Sequence, residues 1–250
     1  LWAGNSLEDD PNTGEVSPGN LNVQYGAAAL DGARWSVTTT TYADNAFGWG
    51  GTGVGDVNGD GYADIACAAP VPGETATAGG TVFVFHGSPS GPAGTPDWTT
   101  TGATYEDLFG YSLHGADVNR DGFSDLFVGA NRDPSGGVDG GTVFLYFGSA
   151  SGLATTPGWQ WSSTNDSDRA GRGIDSAGDV NGDGYADVIV GGGQSGDPFV
   201  GHAWIFFGTA DGIEATPGWV ATGEALRTDY GVVAGGGDLN EDGYDDVAVG

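Results

Sequence analysis

The sequence predicts an all-β fold, a β-propeller built of four-stranded antiparallel blades with about 60 residues per repeat. Three landmarks share that period. An Asp-rich nonapeptide begins at residues 56, 117, 179 and 238, so its copies start 61, 62 and 59 residues apart. An aromatic run ends in Gly at residues 26, 87, 148 and 208, and a Trp stands at 35, 98, 159 and 219. Because three markers keep one register, we interpret the chain as a repeat array.

The strands follow from the pattern within one period. Short β-prone runs alternate with clusters of Gly, Pro, Asp and Ser, which is typical of antiparallel strands joined by turns. In the second unit, strands are predicted over residues 109–115, 125–130, 141–148 and 158–163. Four strands in this length match a propeller blade. A β-sandwich would also alternate strands and turns, but it would not repeat a loop and two aromatic landmarks at one spacing.

We expect residues 1–250 to form a single repeat array, with repeats at about 1–64, 65–125, 126–187 and 188–246 and with 247–250 starting the next unit. Residues 1–40 have the pattern of strands two to four of a blade, and residues 230–250 that of strands one and two. The strand around 230–237 could pair with the first blade, or a neighbouring subunit or further repeat could cover that edge. Since both ends break off inside a blade, we expect an excerpt of a longer chain.

Composition excludes several classes of protein. The 250 residues include 34 acidic residues, 6 Arg and no Lys, for a formal net charge of −28, so we expect no nucleic-acid partner. Apolar stretches of about five residues predict no membrane insertion, since a spanning helix needs about 18. Fifty Gly and no Met disfavour a helical bundle. The single cysteine, Cys67, takes a position that sister repeats fill with Val, which indicates buried packing.

Each nonapeptide carries oxygen ligands at the spacing of a calcium loop. Positions 1, 3, 5 and 9 are Asp, Asn, Asp and Asp, Gly at position 6 permits a sharp turn, and the aromatic residue at position 7 offers its carbonyl. The predicted ligands are Asp56, Asn58, Asp60, Tyr62 and Asp64; Asp117, Asn119, Asp121, Phe123 and Asp125; Asp179, Asn181, Asp183, Tyr185 and Asp187; and Asp238, Asn240, Asp242, Tyr244 and Asp246.

The ligand types favour Ca²⁺, at about four ions per chain. Position 12, where an EF-hand needs Glu, holds Cys67, Val128, Val190 or Val249, so the loops are not EF-hands. Zinc is disfavoured by the lack of nearby Cys or His, and magnesium by its strict octahedral geometry. A metal-free Asx turn is the alternative, but three carboxylates within nine residues repel one another without a cation. Extracellular calcium modules bind in the range of about 10⁻⁴ to 10⁻³ M, which predicts an extracellular or cell-surface location.

The repeat resembles the FG-GAP repeat of integrin α-subunit propellers and of secreted microbial proteins. The Phe-Gly element stands at Phe47-Gly48 and Phe109-Gly110 and, weakened, at Ala170-Gly171 and Tyr230-Gly231. The Gly-Ala-Pro element is represented by residues 68–70, 129–131 and 191–193. The resemblance implies a propeller with calcium on one face and protein or glycan binding on the other. Such propellers usually have seven blades, whereas this chain supplies four repeats.

We therefore predict a calcium-stabilised extracellular adhesion or scaffold module that presents loops to a protein or glycan ligand, without catalysis. One alternative is an accessory or catalytic propeller domain of a secreted polysaccharide- or lipid-processing enzyme, and another is a structural subunit of an extracellular filament. The histidines at 86, 114 and 202 fit packing or surface positions, and no HExxH or GxSxG motif occurs.

The ligand face is predicted on the side opposite the calcium loops, because the connectors between strands two and three differ in length and composition. Candidate contact residues there are Tyr42, Asp44, Tyr105, Glu106, Arg132, Asp133, Phe199 and Arg227.

Overall fold

A computed structural model describes residues 2–4, 19–24, 34–39, 47–70, 79–104, 106–193, 200–223 and 231–250. Within these ranges the chain forms β-strands and turns and no helix. The strands are β1 (Trp2–Gly4), β2 (Gly19–Gln24), β3 (Arg34–Thr39), β4 (Trp49–Gly55), β5 (Asp64–Ala69), β6 (Thr81–Phe85), β7 (Trp98–Thr101), β8 (Phe109–Ala116), β9 (Asp125–Ala130), β10 (Thr142–Tyr146), β11 (Trp159–Ser162), β12 (Gly173–Gly178), β13 (Asp187–Gly192), β14 (His202–Phe206), β15 (Gly208–Thr209), β16 (Gly212–Ile213), β17 (Trp219–Thr222), β18 (Val233–Gly237) and β19 (Asp246–Val249).

The strands form a series of antiparallel sheets that follows the repeat. The first sheet is β1-β2-β3, the second β4-β5-β6-β7, the third β8-β9-β10-β11 and the fourth β12-β13-β14-β17; β18 and β19 make a C-terminal pair. The small ribbon β15-β16 follows strand three of the fourth sheet. The predicted all-β class with four-stranded antiparallel units is confirmed, and the strands expected in the second unit agree with β8 to β11 within four residues at every boundary.

Strand two of each four-stranded sheet lies in the protein interior. Every residue of β5, β9 and β13 is buried. A strand buried on both faces needs an unbroken small or apolar run, which IACAA, LFVGA and VIVGG supply after the first residue, an Asp, of each strand. Cys67 lies in such a run, fully buried, and burial raises the pKa of its thiol to about 12. The packing role predicted for Cys67 is confirmed.

The hydrophobic cores lie between consecutive sheets. Alternate residues of one strand serve different cores: on β10, Val143 and Leu145 pack towards the fourth sheet, while Phe144 and Tyr146 pack towards the second. The sheets approach closely, since a Cβ added to Gly129 of β9 would collide with the carbonyl oxygen of Gly171, at the start of the next unit. Successive sheets therefore stack face to face, as propeller blades do.

The two aromatic landmarks of the repeat meet across these interfaces. Trp98, which begins strand four of the second sheet, packs edge-on against Tyr146 of the third sheet with ring centroids 5.1 Å apart. Trp159 makes the same contact with Phe206 of the fourth sheet at 5.2 Å. Edge-to-face aromatic pairs of this kind add about 0.5–1.5 kcal/mol beyond their buried area. The period-60 Trp is thus an interface residue between sheets.

The described strands do not join the two ends of the array. β1 pairs with β2 alone, and β18 pairs with β19 alone, so the first of the expected arrangements, with 230–237 pairing with the first blade, is not found among them. Tyr230 itself lies outside the described residues. β18 instead packs against β12 of the fourth sheet. None of the described residues forms a helix suited to crossing a membrane.

Candidate metal loops and the opposite face

The four nonapeptides occupy one position in the fold. Residues 56–64, called the first loop, connect β4 to β5; residues 117–125, 179–187 and 238–246, the second, third and fourth loops, make the matching turns between strands one and two. Gly at position 6 has φ of 89°, 92°, 92° and 93° in the four loops. This left-handed conformation is readily accessible to Gly, as the sequence predicted for the sharp turn.

The side-chain oxygens of each loop hold the turn together. In the first loop, the Asp56 carboxylate accepts hydrogen bonds from the N–H groups of Asp60 at 3.2 Å and Gly61 at 2.8 Å. Asn58 Oδ1 accepts from Asp60 N–H at 2.9 Å, and Asp60 Oδ1 accepts from Tyr62 N–H at 2.9 Å. The other three loops repeat all four bonds. The loop conformation is therefore determined by the nonapeptide itself.

Position 9 has a structural role that the sequence did not reveal. Asp125 is fully buried, and its two oxygens accept N–H bonds from Val118 at 3.2 Å and from Gly148 at 2.9 Å. Asp64 and Asp187 make the same two bonds, with Gly87 and Gly208 as the distant donors. The donor is the Gly that ends the aromatic run of strand three, so two landmarks of the repeat are bonded to each other. The period that the Asp and the Gly share was the sequence signal for this bond. It does not specify the pairing, because 23 residues separate Asp125 from Gly148.

The electrostatics of the loops favour a cation. Burial, followed by the nearby carboxylates of Asp121 and Asp117, raises the pKa of Asp125 to about 7. Burial and the carboxylates of Asp183 and Asp179 likewise raise the pKa of Asp187 to about 6, against hydrogen bonds that lower both values. In the second and third loops, the N–H donors therefore offset only part of the cost of burying the position 9 carboxylate beside two others. A bound cation would remove that penalty.

The donor set fits Ca²⁺ chemically, since it consists of carboxylates, an amide oxygen and a backbone carbonyl, all hard oxygen ligands. Within the described part of the chain, no three His, Cys, Asp or Glu side chains are gathered in the arrangement of an assembled metal site, because the carboxylates face backbone N–H groups. The twenty ligand positions named from the sequence therefore stay a prediction. Asp, Asn and Asp at positions 1, 3 and 5 lie together in each loop, whereas position 9 sits at the base of the turn.

The opposite side of the sheets carries two connectors that are bonded to each other. The connector between β9 and β10 meets the one between β11 and β12: Val138 N–H donates to Asp166 Oδ1 at 2.8 Å, Ser167 N–H to the Val138 carbonyl at 2.7 Å, and Arg169 N–H to the Asp139 carbonyl at 3.0 Å. Val138 projects from this connector pair with 70% of its surface exposed. The pair forms a preorganised, exposed surface.

Of the contact residues predicted for this side, Arg132 and Glu106 are exposed. Asp133 is buried and accepts hydrogen bonds from Thr142 Oγ1 and Ser135 N–H, so its role is structural. Tyr42, Asp44, Tyr105, Phe199 and Arg227 lie outside the described residues.

A buried carboxylate near this side binds a histidine. Asp168 lies 3.0 Å from His202 Nδ1 and also accepts hydrogen bonds from Ser163 Oγ and Asn165 Nδ2. Burial acts to raise the pKa of Asp168, but the bonds from His202, Ser163 and Asn165 outweigh it and hold that pKa below its ordinary value. Ser163 Oγ donates to the Asp168 carboxylate, while His202 Nδ1 lies 3.0 Å from the same group, so the serine is bonded to the carboxylate and not to the imidazole. A second such pair, His114 Nδ1 with Asp175 at 3.3 Å, joins β8 and β12, the first strands of the third and fourth sheets. Sequence reasoning missed both pairs.

Comparison with known proteins identifies the repeat. The family model described as FG-GAP repeat matches residues 47–85, 109–146 and 170–206, which span strands one to three of the second, third and fourth sheets. Integrin alpha-V from Gallus gallus is 31% identical over 210 residues, 79% of this chain and 19% of the relative. Integrin alpha-PS2 from Drosophila melanogaster is 32% identical over 212 residues, 78% of this chain and 14% of the relative.

Integrin alpha-6 from Gallus gallus is 34% identical over 146 residues, 57% of this chain. The alignments with these three relatives cover between 13% and 19% of the relatives' length. With its three matched repeats in three consecutive four-stranded sheets, the chain belongs to the FG-GAP repeat family.

Proposed function

We propose that the chain is a calcium-stabilised extracellular module that binds a protein or glycan ligand through the side opposite its calcium loops. The observation that carries the proposal is the placement of the nonapeptides. Each one forms the turn between strands one and two, in consecutive stacked sheets, so their oxygen donors share one side of the array. The described connector between β9 and β10 emerges on the other side.

A Ca²⁺ ion bound by the predicted ligands would neutralise the carboxylates of each loop. Ca²⁺ would supply a hard divalent charge that offsets the burial of the Asp125 and Asp187 carboxylates and their repulsion by neighbouring Asp residues. Positions 1, 3 and 5 of each loop would bind the ion through side-chain oxygens, and the position 7 carbonyl would add a further ligand. Position 9 already joins the loop to strand three, so the same residue would link ion binding to sheet stability.

The similarity to integrin alpha subunits supports an adhesion-type role and an extracellular or cell-surface location. The exposed connector pair around Val138 supports the choice of side, because its backbone bonds fix its shape before any ligand arrives. Catalysis finds little support in the described residues, since the histidines at 114 and 202 are each held by a buried or half-buried Asp rather than paired with a nucleophile.

Two measurements test the proposal. Isothermal titration calorimetry with CaCl₂ is expected to give about four sites per chain, and a matched variant with Asp121→Ala about three. Titration heats that show no binding up to several times 10⁻³ M calcium would disprove the calcium part.

The ligand part is tested on arrays of immobilised extracellular-matrix proteins and of glycans at millimolar calcium. Binding is expected for the natural chain and is expected to fall at least tenfold for Val138→Asp combined with Arg132→Asp. The control Asp211→Asn changes an exposed residue on the calcium side. If the double variant binds as strongly as the Asp211→Asn control, the ligand surface lies elsewhere.

A further inference from the structure

The first and third loops have the same sequence, DVNGDGYAD. Each contains Asn followed by Gly at positions 3 and 4, which are residues 58–59 in the first loop and 181–182 in the third. The second and fourth loops have Arg120 and Glu241 at position 4 instead. In an Asn-Gly pair the backbone nitrogen of Gly readily attacks the side-chain amide before it, because Gly has no Cβ to shield that nitrogen. Two of the four loops therefore carry a reactive pair.

Packing against the neighbouring loop explains why these two loops have Gly at position 4. A Cβ added to Gly59 would meet the Phe123 ring at 2.5 Å, and a Cβ added to Gly182 would meet the Tyr244 ring at 2.7 Å. Both glycines also have a left-handed backbone, with φ of 74° and 75°. The surroundings of the two Asn-Gly pairs are thus alike in this respect.

The side-chain amide at position 3 is also held in the same way in both loops. Asn181 Oδ1 accepts Asp183 N–H at 2.9 Å, and Asn181 Nδ2 donates to Asp183 Oδ2 at 2.8 Å. Asn58 makes the same two bonds with Asp60, at 2.9 Å and 3.0 Å. An N–H group on the amide oxygen stabilises the negative charge that this oxygen gains when its carbon is attacked, as a donor in an oxyanion hole does. The amide carbon is therefore equally activated in the two loops.

The attacking nitrogen differs between the two loops. Gly59 N–H donates to Asp56 Oδ1 at 2.6 Å, so its proton is held by a carboxylate. Among the described residues, no acceptor receives a hydrogen bond from Gly182 N–H; Asp179 Oδ1 accepts the N–H of position 5 instead. Arg120 N–H is unbonded in the same sense in the second loop, which the next sheet covers. A free N–H at position 4 is therefore not a result of exposure.

We propose that Asn181 is a site of spontaneous deamidation, in which the Gly182 nitrogen attacks Asn181 Cγ. Asn58, in the loop of identical sequence, is protected because Asp56 holds Gly59 N–H. Hydroxide takes the Gly182 N–H proton as the new N–Cγ bond forms. The Cγ–Nδ2 bond then breaks, and the nitrogen takes a proton from water and leaves as ammonia. One water molecule opens the cyclic imide at either carbonyl, which gives aspartate or isoaspartate at position 181.

Deamidation changes the third loop in two ways. Either product adds a carboxylate to a loop that already has Asp at positions 1, 5 and 9. Isoaspartate also lengthens the backbone by one methylene between positions 3 and 4, which moves position 3 away from Asp183 N–H. Because ammonia is lost, the change does not reverse, and the third loop becomes distinct from the first loop with time. The inference rests on hydrogen bonds within the chain and does not depend on calcium binding.

The test follows the masses of the four loop peptides after incubation of the full chain at mildly alkaline pH. The calcium concentration is one at which near-ultraviolet circular dichroism shows the native fold. Deamidation at Asn181 is expected to be at least about tenfold faster than at Asn58. In urea, where the loop hydrogen bonds are lost, the two identical sequences are expected to react at one rate. Equal rates in the folded chain, or no reaction at Asn181 while the urea sample reacts, would overturn the proposal.

Arg120→Gly is the matched variant, because it creates an Asn-Gly pair in the second loop, where the position 4 N–H is also unbonded. In this variant Asn119 is expected to react at a rate closer to that of Asn181 than to that of Asn58. A rate as low as that of Asn58 would show that the freedom of the N–H group does not govern the reaction. Asn240 has no Gly after it and is the internal control. Reaction at Asn240 as fast as at Asn181 would overturn the role of the Asn-Gly pair.

Discussion

The third sheet and the C-terminal pair contain the same turn in two different surroundings. The second and fourth loops have the same Asp and Asn hydrogen bonds and the same Gly conformation. Their burial differs completely: Val118 is fully buried and Leu239 is 73% exposed. The loop is therefore encoded locally, within nine residues, whereas the core is supplied by strands three and four and by the next sheet. Calcium affinity should follow the loop, and stability should follow the surroundings.

Among the changes considered, removal of calcium should lower the stability of the protein most. If each of four sites is held at ten times its dissociation constant, binding contributes about 1.4 kcal/mol per site, or about 6 kcal/mol in all. We expect EGTA to lower the thermal midpoint by ten degrees or more for a protein of this size. Asp121→Ala should lower the calcium-dependent part by about a quarter. A midpoint that is the same in calcium and in EGTA would show that the loops do not hold the ion.

The sheet interface should show the next largest effect. Trp159→Ala removes the contact with Phe206 and the hydrogen bond to the Glu214 carbonyl, so we expect a loss of about 3 kcal/mol in urea unfolding. Trp219→Ala, at the uncovered counterpart, should cost under about 1 kcal/mol. Trp159→Phe keeps a ring without the N–H and should fall between them. Equal losses at Trp159 and Trp219 would contradict the assignment of Trp219 as an uncovered residue.

The strands were largely predictable from the sequence, because they depend on a period that many residues share. Strands β8 to β11 start and end within four residues of their predicted limits. The turn at Gly122 was predictable for the same reason. The contacts of Asp125 with Gly148 and of Trp98 with Tyr146 were not, since they depend on strand register and on the stacking of sheets. The pairing of His202 with Asp168 depends on one repeat alone and had no periodic signal.

The pH dependence of stability should reverse between calcium and EGTA. In EGTA, the pKa of Asp125 is about 7 in the folded chain, above its usual 3.8. Between pH 3.8 and pH 7, the folded chain therefore keeps a proton on Asp125 that the unfolded chain has released. Stability in EGTA should therefore rise as the pH falls from 7 towards 4.5, by about 2 kcal/mol after allowance for partial solvent screening. In calcium, protons compete with the ion, and stability should fall over the same range.

Asp125→Asn is the variant for this measurement, because it removes the titrating group at similar volume. Its amide nitrogen cannot accept the second N–H bond, so the slope with pH is compared and not the absolute stability. Its urea midpoint in EGTA should vary less with pH than that of the natural chain. A slope of the same sign in calcium and in EGTA would mean that these carboxyl groups do not govern the pH dependence.

The smallest expected effect concerns position 4 of the loops, where the backbone is left-handed in every copy. Gly59 and Gly182 have φ of 74° and 75°, but Arg120 and Glu241 have φ of 57° and 61°, a conformation that costs a side-chain-bearing residue about 1 kcal/mol. Arg120 gains a contact in return, since its guanidinium lies 6.0 Å from the Tyr185 ring of the next loop. Such a contact is worth about 0.5–1 kcal/mol at an exposed site.

Glu241 belongs to the last loop and has no described loop beyond it to contact. Glu241→Gly should therefore stabilise the C-terminal pair by about 0.5 kcal/mol, while Arg120→Gly should change the stability of the third sheet by less, because relief of the backbone offsets the lost ring contact. Hydrogen exchange of β19 amides reports the first change, and exchange of β9 amides the second. If Arg120→Gly slows exchange in β9 more than Glu241→Gly slows it in β19, the Arg120 ring contact contributes less than the left-handed backbone costs. No change in β19 would show that the left-handed conformation of Glu241 is not a source of strain, and that the two loops are equivalent at this position despite their different surroundings.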